Sequence, residues 1–300
     1  MANPQNGPAS LRAGHLIETA ELADRIAAGD ARLRVVDVRG AVRTRQIAEG
    51  VQAADYLDAR EEYERGHVPG AIYLDWTRDI VDLDDPVPAQ AAGPAQIQRL
   101  FERVGIGDES QIVTYDAHPA SQFATRLWWL LRYYGHENVR VLNGGWPKWI
   151  AEGRPITPDV PSYPSACFTP QPDPAWRVTA EETAARIGAA DTAIVDARDE
   201  GQYTGRVQRG ARGGHIPGAL HLPREALFAP DGRFKPPVEL TAAIEAAGVP
   251  PDRRVIAYCN GGVAATSVLF ALSMLGRDRL ANYDGSWNEW AGRPNLPVEI

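Results

Sequence analysis

Val255-Ile256-Ala257-Tyr258-Cys259-Asn260-Gly261-Gly262-Val263-Ala264-Ala265-Thr266 is a strand, a tight loop and the first turn of a helix in twelve residues. Val255-Ile256-Ala257 is a short apolar run. The following Ser267-Val268-Leu269-Phe270-Ala271-Leu272-Ser273-Met274-Leu275-Gly276 has the composition and length of a buried helix closed by glycine. A cysteine at this junction meets free backbone N–H groups and the positive end of the helix dipole. Such surroundings favour thiolate over thiol, which makes Cys259 a candidate nucleophile. The plainer reading is a small buried core residue, as free cysteines often are. The glycine pair favours the first, because backbone amides close around an anion only where bulky side chains do not block them.

Working outward, the chain repeats itself. Val35-Val36-Asp37-Val38-Arg39 returns as Ile194-Val195-Asp196-Ala197-Arg198, and Gly66-His67-Val68-Pro69-Gly70-Ala71 as Gly214-His215-Ile216-Pro217-Gly218-Ala219. Val113-Thr114-Tyr115-Asp116 returns as Ile256-Ala257-Tyr258-Cys259, and Leu142-Asn143-Gly144-Gly145-Trp146 as Tyr283-Asp284-Gly285-Ser286-Trp287. The offsets are 159, 148, 143 and 141 residues. Strands alternate with helices in each copy, for example helices over residues 17–28, 95–104 and 121–134 in the first. This implies α/β domains with mostly parallel sheets covered by helices on both faces, and ligands at the carboxyl ends of the strands. The expected division is a first domain over 1–156, a proline-rich linker over 157–175 and a second domain over 176–300. Asp116 fills in the first copy the position of Cys259 in the second, and a carboxylate is no sulfur nucleophile. The chemistry is expected in the second domain alone.

The bulk composition sets outer limits. Three hundred residues, 44% of them hydrophobic, are enough for about two buried cores. A formal net charge of −8 argues against nucleic acid as a partner. No window has the run of about 18 apolar residues that a membrane span needs, since Leu127-Trp128-Trp129-Leu130-Leu131 is flanked by Arg126 and Arg132. The stretch 1–11 has no apolar core and does not read as a secretory signal. Two cysteines, 167 and 259, are too few for a disulfide framework, so a cytoplasmic protein is expected. Cys167, in the proline-rich linker with no basic neighbour, carries no reactive reading.

Several chemistries could use Cys259. A cysteine phosphatase with this loop needs an arginine six residues on, where this chain has Ala265. A protease needs a histidine base, but His67 and His215 sit in repeated Gly-His-x-Pro-Gly turns that point to structural roles. Zinc needs several spaced Cys or His ligands, and no Cys-x-x-Cys or His-x-x-x-His occurs. A loop that stabilises extra negative charge on sulfur fits a persulfide intermediate, which requires no cofactor.

Tyr63-x-x-x-His67-Val68-Pro69-Gly70-Ala71, the Asp196-Ala197-Arg198 strand end, the Gly214 to Ala219 turn, the Cys259 loop and Tyr283-Asp284-Gly285-Ser286-Trp287-Asn288-Glu289-Trp290 resemble the two-domain rhodaneses. These are sulfurtransferases with an inactive first copy and a catalytic second copy. The resemblance implies a persulfide on Cys259, cradled by Asn260, Gly261, Gly262, Val263, Ala264 and Ala265. It also implies a small anionic sulfur donor and a thiol or cyanide acceptor. The donor signals diverge. Thiosulfate-preferring relatives place basic residues directly after the cysteine, where this chain has Asn260 and Gly261. Mercaptopyruvate-preferring relatives have Cys-Gly-Ser-Gly-Val-Thr, and both branches place arginine at the position of Gln202. Arg206, Arg209 and Arg212 form a basic cluster before the Gly214 turn that either faces the anion or is a solvated loop. Thiosulfate is the first expectation and 3-mercaptopyruvate the second. A non-enzymatic binding or regulatory module of the same fold is the reading from another class.

Overall fold

The structure, a computed structural model, describes residues 14–300. The stretch 1–11 considered above as a leader lies outside them. Thirteen strands occur among the described residues. In the first half these are β1 (Leu16–Ile17), β2 (Leu33–Asp37), β3 (Gly40–Ala48), β4 (Val51–Asp58), β5 (Ala71–Tyr73), β6 (Gln111–Tyr115) and β7 (Val139–Leu142). The second half has β8 (Arg177–Val178), β9 (Thr192–Asp196), β10 (Gln208–Arg209), β11 (Leu220–His221), β12 (Arg254–Tyr258) and β13 (Leu280–Tyr283).

Two five-stranded sheets follow, ordered β5-β2-β6-β7-β1 and β11-β9-β12-β13-β8. Every pairing within them is parallel, and the two orders correspond strand for strand. Both faces of each sheet are buried. Along β2, Val36 joins the core that contains Phe123 and Leu127, whereas Leu33 and Val35 join another with Leu22 and Trp149. That is the period of two expected of a strand covered on both sides.

The helices Gln122–Tyr133 and Ala265–Met274, which follow the Asp116 and Cys259 loops, share one core. The second is apolar nearly all round and buried along its whole length, as its composition predicts. Thr125 Oγ1 lies 3.0 Å from Thr266 Oγ1 and 3.1 Å from Ser267 Oγ, so the two helices meet close to their N-termini. The two loops they carry therefore lie near each other.

Three features differ from the sequence reading or were absent from it. Ile17, read above as the start of the first helix, instead forms with Leu16 an edge strand paired with Val141 and Leu142, and the helix begins at Thr19. The linker segment 157–175 is not a free tether: Ala166 N–H donates to Glu102, Gln171 to Tyr134 and Asp173 to Tyr133, all at backbone carbonyls of the first half. Finally, residues 40–58, passed over in sequence, form the antiparallel hairpin β3–β4. Its turn uses Gly50 at φ +67°, and any Cβ there would lie 3.2 Å from the carbonyl oxygen of Arg206. The hairpin crosses to the second half, where β4 pairs in parallel with β10 through Val51–Gln208 and Gln52–Arg209.

Candidate active site

β12 ends at Tyr258, and the chain turns through Cys259 to Ala264 before the helix Ala265–Met274 begins. Cys259 is 3% exposed. Its N–H donates to Ser286 Oγ at 3.1 Å, and its carbonyl accepts from Trp287 N–H at 3.0 Å, so both peptide groups are anchored to the start of the last helix. Gly262 turns the loop at φ +69°, and a Cβ on it would lie 2.7 Å from the Asp284 carbonyl oxygen. Only glycine fits there. The Gly262 carbonyl accepts from Asn282 Nδ2 at 2.9 Å and from Arg126 at 3.2 Å. Among the described residues, no acceptor is provided for the backbone N–H groups of Asn260 through Ala265. Six donors thus follow the cysteine without a protein partner, at the start of a helix whose dipole has the same sign.

Cys259, Asn260, Gly261, Val263 and Ala264 line a cavity of about 270 Å³. Of the three arginines singled out in sequence, the structure brings only Arg209 to it. Of the two alternatives left open for the cluster, Arg206 takes the solvated one, and the candidate anion-facing role of Arg212 is corrected. Arg206 is turned to solvent, paired with Glu200 and donating to Thr204 Oγ1. Arg212 spends its guanidinium on the carbonyls of Trp290, Ala291, Arg293 and Leu296, where it closes the end of the last helix. Carbonyls left unpaired at a helix end make better partners for it than solvent.

Among the lining residues that the sequence reading missed, Arg224, His118, Gln122 and Tyr56 have polar groups to offer a ligand. Arg224 follows β11, and its Nε is buried without a partner. His118 lies two residues beyond Asp116 in the first domain. Gln122 begins the helix after it, and Tyr56 arrives on the hairpin. Arg224 and His118 both sit beyond the carboxyl end of a parallel strand, which is the signal that could have found them. The hairpin's signal is the fall in repeat offset from 159 to 148. The first copy holds extra residues between Asp37 and Gly66.

Gln202, in place of the family's arginine, accepts from Asn260 Nδ2 at 2.8 Å. Its own amide donates to Asp199 at 2.6 Å, so a neutral relay anchored on a carboxylate stands at this wall. The turn histidines behave alike: His67 and His215 stack on Tyr63 and Tyr203 and hydrogen-bond to their carbonyls. Arg39 and Arg198 each bind the preceding aspartate and a turn carbonyl.

In the first domain the matching cup is filled from within. The Asp116 carboxylate accepts from the N–H groups of His118, Phe123 and Ala124 at 2.7–2.9 Å, in place of any outside anion. Burial pushes this carboxyl up to about 7, outweighing the three N–H donors that draw it down. Burial, with the charge of Arg224 behind it, drives His118 down to about 4. His118 is therefore neutral near pH 7. Its Nδ1 accepts from Ala120 N–H at 3.0 Å, which places the ring proton on Nε2.

A pH prediction follows from this pair. Asp116 holds a proton in the folded chain that the unfolded chain, at a pKa of about 3.9, releases. Its contribution is full below about pH 4 and lost as pH rises through about 7. His118 contributes in the opposite sense, fully above about pH 6.5 and less as pH falls through about 4. The two offset each other. Asp116→Asn leaves His118 unopposed, so urea midpoints of the variant should fall more steeply than those of the parent between about pH 6.5 and 4.5. Equal slopes would remove Asp116 as a titrating group.

Comparison with known proteins gives a consistent picture. The rhodanese-like domain family matches residues 18–152 and again 179–293. A sulfur carrier protein of Thermus thermophilus is 36% identical over 249 residues, covering 79% of this chain and 86% of the relative. The thiosulfate sulfurtransferase of Bos taurus is 33% identical over 265 residues, covering 84% of this chain and 89% of the relative. The crystal structure of a 3-mercaptopyruvate sulfurtransferase from Escherichia coli superposes with a TM-score of 0.77 at 28% identity, covering 91% of this chain and 98% of that one.

Proposed function

The chain belongs to the rhodanese-like family, whose domain it carries twice, and from that premise we propose that it is a sulfurtransferase passing sulfane sulfur from thiosulfate to cyanide or a thiol through a Cys259 persulfide. Sulfurtransferase activity in general is what the relatives support. The observation that carries the finer reading is the run of six partnerless N–H groups after a buried cysteine, present in the second domain and self-filled in the first.

The electron count is simple. The Cys259 thiolate attacks the outer sulfur of thiosulfate, the new S–S bond takes the thiolate's pair, and the old S–S bond leaves with sulfite as a dianion. The persulfide anion that remains has its terminal charge among the free amides. Cyanide or a thiolate then attacks that terminal sulfur, leaves as thiocyanate or a new persulfide, and returns the Cys259 thiolate. Arg209 and Arg224 line the cavity and are suited to the sulfonate oxygens, a role closer to clamp than to nucleophile. Incubation with thiosulfate should add the mass of one sulfur atom to the peptide containing Cys259, and subsequent cyanide should remove it. A protein that takes up no sulfur from thiosulfate overturns the reading.

Arg224→Gln should raise KM for thiosulfate about 10-fold with a smaller change in kcat, since a charged partner is lost from binding. An unchanged KM would exclude Arg224 from donor binding. The second reading, 3-mercaptopyruvate as donor, is favoured by the uncharged Asn260 and Gly261 directly after the cysteine, where thiosulfate-preferring relatives are basic, and by the Escherichia coli relative. A side-by-side assay with the two donors separates them.

A further inference from the structure

The hairpin β3–β4 has no counterpart in the second domain, yet it reaches the Cys259 cavity with Val42, Thr44, Gln52 and Tyr56. Its attachment there is specific. β4 pairs with β10, and Gln208 N–H donates to the Gly50 carbonyl at 2.7 Å, so the hairpin is stitched to the strand that carries Arg209. Tyr56 is held at the inner end of this attachment, its ring edge-on to buried Trp76 with centroids 5.4 Å apart.

The surroundings of the Tyr56 hydroxyl determine its polarity. Its oxygen accepts from Asn288 Nδ2 at 3.1 Å and from Arg209 at 3.3 Å. A guanidinium has no acceptor to offer, and the Asn288 group facing the hydroxyl is its donor amide. Among the described residues no acceptor is within hydrogen-bond reach of the Tyr56 O–H. The proton therefore has no protein partner, and the group lines the cavity that holds Cys259. Gly261 makes the approach close: a Cβ there would lie 3.1 Å from Asn288 Nδ2 and 3.5 Å from the Tyr56 oxygen.

The geometry points to Tyr56 as a donor-binding residue of the sulfur-transfer site, contributed by the domain that has no nucleophile, whose hydroxyl donates to the anionic sulfur donor bound beside Cys259. Arg209 polarises that hydroxyl by donating to its oxygen, which strengthens the O–H as a donor. The hairpin is then a working part of the active site. A chain with a shorter loop between Asp37 and Gly66 would lack this contact. The inference rests on the persulfide reading for what the anion is, though not for where it binds.

The test uses the full chain and thiosulfate as the probe. Cys259→Ser blocks sulfur transfer and allows equilibrium titration by calorimetry. Adding Tyr56→Phe to it should weaken thiosulfate binding roughly 10-fold, the cost of a hydrogen bond to a charged ligand. Phenylalanine keeps the ring against Trp76, and an unchanged thermal midpoint checks that the hairpin stays docked. In the protein with Cys259 intact, Tyr56→Phe should lower kcat/KM for thiosulfate by a similar factor. Equal affinity of the two titrated proteins overturns the proposal, and so does an absence of binding to either. Persulfide mass on the parent protein is read separately: its absence sinks the persulfide reading, while its presence with equal affinities sinks only the role of Tyr56.

Discussion

Cys259→Ser should keep the fold and lose sulfur transfer by on the order of 10³-fold or more, with no sulfur mass gained from thiosulfate. The structural half of this expectation rests on size and on anchoring. Cys259 is held by its peptide groups, through Ser286 Oγ and Trp287 N–H, and a serine preserves both contacts. The chemical half rests on the atom replaced. A hydroxyl is a poor nucleophile toward sulfur without a base, and the histidines of the Gly-His-x-Pro-Gly turns are occupied by carbonyls. His118 in the cavity does not supply the missing chemistry, because an oxygen cannot carry the sulfur as a persulfide. Cys167→Ser is the control: this exposed cysteine is in the linker segment, and its removal should leave turnover unchanged. A Cys259→Ser protein with full activity would end the assignment of the nucleophile.

The second large effect is expected at Arg126, which belongs to the first domain but braces the loop of the second. Its side chain is 2% exposed and pairs at 2.5 Å with Asp284, itself 1% exposed. It also donates to the Gly262 carbonyl at 3.2 Å and to the Ala89 carbonyl at 2.8 Å. Arg126→Met keeps an unbranched apolar stem but leaves a buried carboxylate short of a partner. Breaking a buried pair from one side costs about 3–5 kcal/mol. Arg177 at 3.1 Å and the Ala91 N–H at 2.9 Å still serve Asp284, so the lower end, about 3 kcal/mol, is expected. Urea unfolding should report it as a shift in midpoint. Transfer should also slow, because Gly262 loses one of the two donors that fix its carbonyl. An unchanged midpoint together with an unchanged transfer rate would show that the pair serves neither fold nor loop.

These two residues illustrate where a sequence stops being informative. Cys259 was legible because its signal is local: an apolar strand, two glycines and a helix lie in one continuous stretch, and the repeat supplies Asp116 as an internal contrast. Arg126 carries no such signal. It stands in a helix next to Leu127-Trp128-Trp129 and reads as a flanking charge, whereas its partners Ala89, Gly262 and Asp284 come from three other segments. The basic cluster before the Gly214 turn makes the same point. Arg209 and Arg212 are three residues apart, yet one is fixed on a strand at the cavity and the other is taken by four carbonyls of the chain's last helical turn and the residues after it. Proximity in sequence does not settle direction where the backbone is a loop.

What the sequence determined by itself was the set of features written in short-range pattern: the alternation of strands and helices, the doubled domain, the parallel sheets and the cysteine loop at a strand's carboxyl end. Periodicity and turn chemistry act over a few residues, so one chain suffices to read them. Only the tertiary structure decided what surrounds the cysteine. Tyr56, His118, Arg209 and Arg224 reach one cavity because two helices from separate domains pack together and a hairpin from the first pairs with a strand of the second. Such contacts arise from burial shared between distant segments, and no local pattern encodes the partner that a buried face will find.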